Sequence, residues 1–209
     1  MSQRAAANLR REPHPLTRIS KSMSYILRHG AEKEDIPMRA DGFVAVTDLL
    51  QHQSLRKCTL ETLQQVVAND NKQRYTLVQL PAGERNQWFI RANQGHSLLV
   101  SDLALAKIQS STEIPVAIHG TYTRFWPSIE KEGLKRMSRN HIHLAPDVPG
   151  SAGVISGMRL NCEVYIYIDV AKAMADGIEF YRSQNGVILT AGQDGVLAPQ
   201  YFAHVIHRS

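Results

Sequence analysis

Cysteine is scarce in this sequence: two residues, Cys58 and Cys162, in a chain of 209. They lie far apart and outside any CxxC spacing, so neither a disulfide framework nor a thiolate zinc site is indicated, and both read as small buried hydrophobes. Long apolar runs are missing too. No stretch approaches the ~18 residues that a membrane span requires, and the first residues lack the apolar core of a secretory signal. We therefore expect a soluble intracellular protein, cytoplasmic or nuclear. Glycine-rich phosphate motifs are likewise absent: neither GxGxxG nor a Walker loop occurs, and the Gly-, Pro- and Ser-rich stretch from Asp147 to Gly157 has a different spacing. Acidic residues number 19 against 24 lysines and arginines, which gives a net charge of +5 and a pI near 9.3. That balance suits a polyanionic partner without specifying one.

What is present is an ordinary globular composition, 43% hydrophobic, long enough for one large or two small domains. Residues 1–16 carry arginines and prolines with few apolar residues and read as a flexible basic arm. From Ser20 the pattern becomes helical, with Ser20 as the expected N-cap, Met23, Ile26 and Leu27 on one face and Gly30 at the C-terminus. Lys21 lies on nearly the same face as Arg28 and forms a basic stripe with it. Asp41-Gly42 marks a turn before the apolar run Phe43–Val46, and Thr47 is placed to cap a helix through Leu50. Thr59 is placed to cap a second helix running to about Asn69. Two strand-like runs, Tyr75–Leu80 and Gln87–Ala92, flank a turn-rich connection at Pro81–Asn86. Helices followed by a hairpin describe a winged-helix-like module. Leu98 to Ile114 reads as a partly helical linker.

The most informative stretch is Val116 to Ala145. Its opening apolar run ends in His119-Gly120-Thr121, a buried strand that turns polar at its tip. Pro127 suits the first turn of the following helix and Gly133 its end. After Arg139, the alternation His141-Ile142-His143-Leu144 puts two imidazoles on one face of a strand. Cys162–Asp169 and the C-terminal segment give further strands. A single histidine at a strand tip is commonly a satisfied hydrogen-bonding residue; three histidines and an arginine on one strand–helix–strand unit point to a crevice that binds something polar.

Four separated motifs, ILRHG, NDNKQR, IRANQGHS and HGT…RNHIHLA, occur here in the order found in the RNA (tRNA) 2′-phosphotransferases, NAD-dependent relatives of the ADP-ribosyltransferases. The resemblance spans about Ile19 to Phe202. It implies an α+β fold of two lobes: a winged-helix-like RNA-binding lobe over residues 17–100, a linker over 101–115, and a β-rich ADP-ribosyltransferase-like lobe that binds NAD over 116–209. It implies removal of an internal 2′-phosphate from spliced tRNA or other RNA by way of 2′-phospho-ADP-ribosylated RNA, with release of nicotinamide and ADP-ribose 1″,2″-cyclic phosphate. Arg28, His29, Arg74 and Arg139 match the family's essential set. Such a site needs cations to hold a phosphate that is already ionised, and arginine's planar fork suits that task. His119, Gly120 and Thr121 match the NAD-contacting strand end, with Ser128, Gly133 and His141 as further candidates for the same site and His143 behind them. His96 is assigned to the junction between lobes. Lys21 is the expected RNA contact, no metal is implied, and a monomer is expected. The C-terminal strands lack the Glu-x-Glu of many protein-modifying ADP-ribosyltransferases, which favours a phosphate acceptor. Two rivals stand beside this reading: an enzyme that leaves ADP-ribose on terminal nucleic-acid phosphates, and a non-catalytic winged-helix RNA-binding protein.

Overall fold

In the computed structural model, residues 15–82, 85–151 and 157–208 are described. The basic arm up to residue 14 and residues 152–156 of the Gly-rich loop lie outside them. Helix α1 (Pro15–Tyr25) runs into a single wide turn at Ile26–Gly30. After β1 (Val44–Ala45) come α2 (Val46–Gln51), α3 (Leu60–Ala68), and the hairpin of β2 (Tyr75–Ala82) and β3 (Arg85–Ala92). Next are β4 (Ala106–Lys107), β5 (Ile118–Thr121), α4 (Trp126–Glu132), β6 (Leu134–Lys135) and β7 (Ile142–Leu144). The chain ends with β8 (Val164–Ile168), α5 (Val170–Ala175), β9 (Tyr181–Arg182), β10 (Ile188–Thr190), β11 (Val196–Leu197) and β12 (Phe202–His207).

These strands form small antiparallel sheets, ordered β1-β3-β2, β4-β9-β10-β7, β11-β6 and β12-β8-β5. The fold is thus mixed α+β. Two large apolar groups with no member in common hold it together. Met23, Ile26 and Leu27 of the first helical segment meet Leu49, Leu63 and Ile90 in one. Leu144, Ile166, Phe180 and Ile188 centre the other. At roughly 1.5–3 kcal/mol for each fully buried aliphatic or aromatic side chain, either group provides a driving force on the scale of a small domain's core before chain entropy is set against it.

Several local expectations are corrected. The first helix begins at Pro15, not after a cap at Ser20; Ser20 is interior, and its hydroxyl is 3.0 Å from that of Tyr75. Gly30 does not act as a left-handed terminus. It is needed because a side chain there would strike the Tyr25 ring at 2.7 Å. Thr47 caps nothing, since α2 starts one residue earlier with Ala45 at its N-cap, whereas Thr59 does cap α3 through a reciprocal box with Thr62. The expected turn at Pro81–Asn86 is largely strand, with Pro81 paired to Asn86 and Ala82 to Arg85. Proline is tolerated because β2 is the sheet's edge, where one side of the backbone has no ladder to complete. The expected partly helical linker holds strand β4, which joins β9, and only a three-residue 3₁₀ turn at Ser111–Glu113.

Hydrogen bonds tie the two apolar groups' segments to each other and so position what lies between. Asn140 donates from its backbone to the His96 carbonyl (2.9 Å) and from its side chain to that of Leu98 (2.8 Å). Asn185 donates to the Lys72 carbonyl at 2.9 Å, and Thr76 to Gln184 at 2.9 Å.

Candidate active site

Arg28 sits in the wide turn, where the Ala31 amide reaches back five residues to the Ile26 carbonyl at 3.0 Å. Such π-type turns are rare and frequently occur at functional sites. The half-buried side chain lies against Gly95, whose φ is +90°. Its Nε and Nη2 are shut off from solvent without a hydrogen-bond partner among the described residues. Burial, then the neighbouring charges of Arg74 and Arg139, lowers its pKa against the opposing pull of Tyr75 and Asp70. An enclosed, unpaired guanidinium is costly by itself, and an anion would relieve that cost.

Arg74 is held differently. The carboxylate of Asp70, almost wholly buried, pairs with Arg74 Nη1 and accepts the Arg74 amide at 2.6 Å and that of Lys72 at 3.2 Å. Arg139 arrives from the other side, in the turn after β6, where the Arg136 guanidinium donates to the Arg139 carbonyl at 2.8 Å. Its side chain has no carboxylate partner among the described residues, and desolvation followed by the charge of Arg159 lowers its pKa. These three arginines, with Lys72 and Arg159, line one cavity of about 450 Å³ together with Gln94, His119, Gly120, Thr121 and His143. None of the described residues that line it is a carboxylate.

A second cavity of about 540 Å³ shares His119, Thr121, Phe125, Arg139 and His143 with the first and adds Ser128, Gly133, Arg136, His141 and several aliphatic residues. The shared wall follows from strand pairing. Ile118 and Ala145 exchange backbone hydrogen bonds at 2.9 and 2.8 Å, which sets the tips of β5 and β7 side by side. His119 then donates from Nδ1 to the His143 carbonyl at 3.0 Å, leaving Nε2 as an acceptor. His143 donates from Nε2 to the buried Gln94 at 2.7 Å. Burial, then Arg139 and Arg28, depresses the His143 pKa to about 3, so the ring is neutral. Burial also lowers the pKa values of His119 and His141.

Of the residues singled out from the sequence, Arg28, Arg74, Arg139, His119, Gly120 and Thr121 meet at the cation cavity; Ser128, Gly133 and His141 line only its neighbour. His29 lines neither. It is exposed, with Nδ1 2.8 Å from Ser97 Oγ, and burial together with the charges of Arg28 and Arg139 lowers its pKa. Lys21 is exposed on α1, in a groove that reaches Arg74 from the opposite side. Gly120 is required for packing: a Cβ would strike Met158 Sδ at 2.6 Å and Cys162 Sγ at 2.8 Å. Gly133 combines a φ of +82° with backbone contact to Leu197. Lys72, Gln94 and Arg159 escaped the sequence reading. The first two lie inside the NDNKQR and IRANQGHS motifs, so attention to every cation and amide there would have found them; Arg159 had no local signal. Among the described residues no group of three or more His, Cys, Asp or Glu stands close enough to hold a metal ion.

Residues 14–192 match the sequence profile described as "RNA 2'-phosphotransferase, Tpt1 / KptA family". The chain is 53% identical over 189 residues to tRNA 2'-phosphotransferase 1 of Danio rerio, covering 89% of this chain and 83% of the relative. It is 47% identical over 209 residues to the protein of the same name in Homo sapiens, covering 97% and 82%. To the tRNA 2'-phosphotransferase of Saccharomyces cerevisiae it is 38% identical over 181 residues, covering 83% and 77%.

Proposed function

This chain belongs to the RNA 2′-phosphotransferase family, and on that footing we propose that it removes an internal 2′-phosphate from spliced tRNA or another RNA, consuming NAD. The observation that carries the proposal is the cation cavity: Arg28, Arg74 and Arg139 converge with Lys72 and Arg159 around a space where, among the described residues, no carboxylate is in the lining and two nitrogens of Arg28 have no partner. A phosphate dianion supplies the missing charge and enough acceptors for several guanidinium forks.

In this reading the helices and hairpin of residues 17–100 form the winged-helix-like lobe that receives RNA, with Lys21 on its approach, and residues 116–209 form the ADP-ribosyltransferase-like lobe. The second cavity takes NAD. Its volume lies in the range of ordinary ligand pockets. Its polar groups fit a dinucleotide: Nε2 of His119 can accept from a ribose hydroxyl, Thr121, Ser128 and His141 offer further polar contacts, and Gly133 brings the wall's backbone close to that of Leu197. NAD supplies an electrophilic ribose carbon with nicotinamide as its leaving group. The protein holds the phosphate still and aimed across the shared wall. Arg139 belongs to both cavities and so couples them. Asp70 fixes Arg74 in place, and Gln94 holds the neutral His143 in one tautomer. His29 stands outside the lining of both cavities, and its part in this reading is to steady the turn that carries Arg28, through Ser97, which bonds both its ring and the Arg28 carbonyl. The charge that develops in the reaction is then stabilised by groups already in position.

The test is direct. Purified protein with NAD and an oligonucleotide carrying one 2′-phosphate should give 2′-hydroxyl RNA and free nicotinamide in equal amounts. No turnover would overturn the proposal, and an ADP-ribosylated strand that persists would assign the site to capping of phosphates instead.

A further inference from the structure

The turn between β5 and α4 carries a feature that extends beyond the phosphate site and shares Tyr122 and Arg159 with it. Tyr122 is half-buried, and Arg124 and Phe125 are exposed beside it. The Arg124 guanidinium carbon lies 4.8 Å from the Phe125 ring centre and 5.4 Å from that of Tyr122; the guanidinium carbon of Arg159 lies 5.9 Å from Tyr122. Arg159 donates to the Tyr122 hydroxyl at 3.2 Å, and that hydroxyl donates to Asn161 at 3.1 Å. Neither Arg124 nor Arg159 is in an ion pair among the described residues.

This cluster borders a cavity of about 500 Å³ lined by Tyr122, Thr123, Arg124, Asn161 and Glu163. It touches the cation cavity only at Tyr122 and has no residue in common with the cavity assigned to NAD. Its chemistry is not that of a second phosphate site. The Glu163 carboxylate, anchored by the Thr123 amide at 2.9 Å, would repel a phosphate. A nucleobase suits it better: the guanidinium and aromatic faces accept any flat π-system, while Asn161 and Glu163 offer oxygens to a base's amino groups.

Building on the phosphate reading of the neighbouring cavity, we propose that Tyr122, Arg124 and Arg159, with Asn161 and Glu163, form a stacking subsite for the base next to the 2′-phosphorylated nucleotide. The RNA would leave the reaction centre across this turn.

Steady-state kinetics with two substrates tests this: a 2′-phosphorylated trinucleotide with natural flanking bases, and the same strand with abasic flanks. For the wild-type protein, KM should rise about tenfold on removal of the flanking bases, the scale of one base–aromatic stack. In Arg124→Ala the two substrates should have similar KM values, while kcat and the KM for NAD stay at wild-type levels. Equal sensitivity to abasic flanks in both proteins would overturn the subsite, and so would a raised KM for NAD with the RNA constants unchanged. Should the wild-type turn over neither substrate, the phosphotransferase reading fails on its own. Fluorescence anisotropy with unphosphorylated natural and abasic strands then decides the subsite: weaker binding of the abasic strand that Arg124→Ala abolishes upholds it, and no difference overturns it.

Discussion

The two cavities that meet at His119, Thr121, Phe125, Arg139 and His143 differ little in volume, about 450 against 540 Å³, and greatly in chemistry. One is ringed by five cations without a carboxylate in its lining. The other sets Lys135, Arg136 and Arg139 among hydroxyls, imidazoles, a glycine and aliphatic carbon. Two exposed lysines, Lys107 and Lys135, are each paired with a carboxylate, Glu179 and Glu132. The contrast teaches that the first cavity gathers more positive charge than its one ion pair, Arg74 with Asp70, balances, while the second sets fewer cations along a more aliphatic wall. An unbalanced buried cation costs stability, so its presence is better explained by a ligand than by the fold.

The largest effect should come from the residue common to both sides. Arg139→Ala should lower turnover about 10²- to 10³-fold, the scale of losing one preorganised donor to developing charge, while the thermal midpoint stays within about 2 °C. Near-wild-type turnover would erase the distinction between the cavities.

Next is Arg28→Met, which keeps the stem's bulk and removes the enclosed charge. Turnover should fall about a hundredfold, yet the thermal midpoint should hold or rise, because a desolvated cation without a partner is gone. A marked loss of stability, read by calorimetry, would mean that Arg28 serves the fold.

The smallest effect concerns acid. His143 stands in the shared wall with a pKa of about 3, and His96, buried behind the cation side, has one of about 4, both depressed chiefly by burial. In the unfolded chain these rings titrate near the ordinary ~6.5. Folding therefore favours the neutral forms. Their contribution is complete above that value, declines as pH falls below it, and is exhausted once pH has passed the folded pKa values. At pH 5 each should cost roughly 2 kcal/mol relative to pH 7. Urea unfolding at the two pH values checks this, and His96→Leu should flatten the dependence by its share. A flat profile in the wild-type protein would refute the assignment.

Much of the site could be read from the sequence, because its motifs are local. ILRHG, NDNKQR and HGT…RNHIHLA each sit on a continuous piece of chain, and the three arginines they carry reach one cavity. What could not be read depended on long-range packing or on backbone geometry. Arg159 approaches the others only through the folding of a loop remote from every motif. The space needs of Gly30 and Gly120 come from Tyr25, Met158 and Cys162, and the two sulfur neighbours of Gly120 are separated from it by some forty residues. Within the fold, the capping box at Thr59 was legible because it is written in four residues. The continuation of β2 and β3 through Pro81 was not, since only knowledge of which strand forms the sheet's edge permits proline there.

The wide turn at Ile26–Gly30 holds one residue more than an α-helical turn would spend on the same rise. Its heading is therefore set by a count. Removing Ile26 or Leu27 would restore ordinary winding and turn Arg28 about 100° around the axis relative to α1, away from its place against Gly95 with its chemistry unaltered. The protein's most exacting requirement in this region is thus arithmetic: a deletion that changed no functional group could silence the site as completely as replacing the arginine.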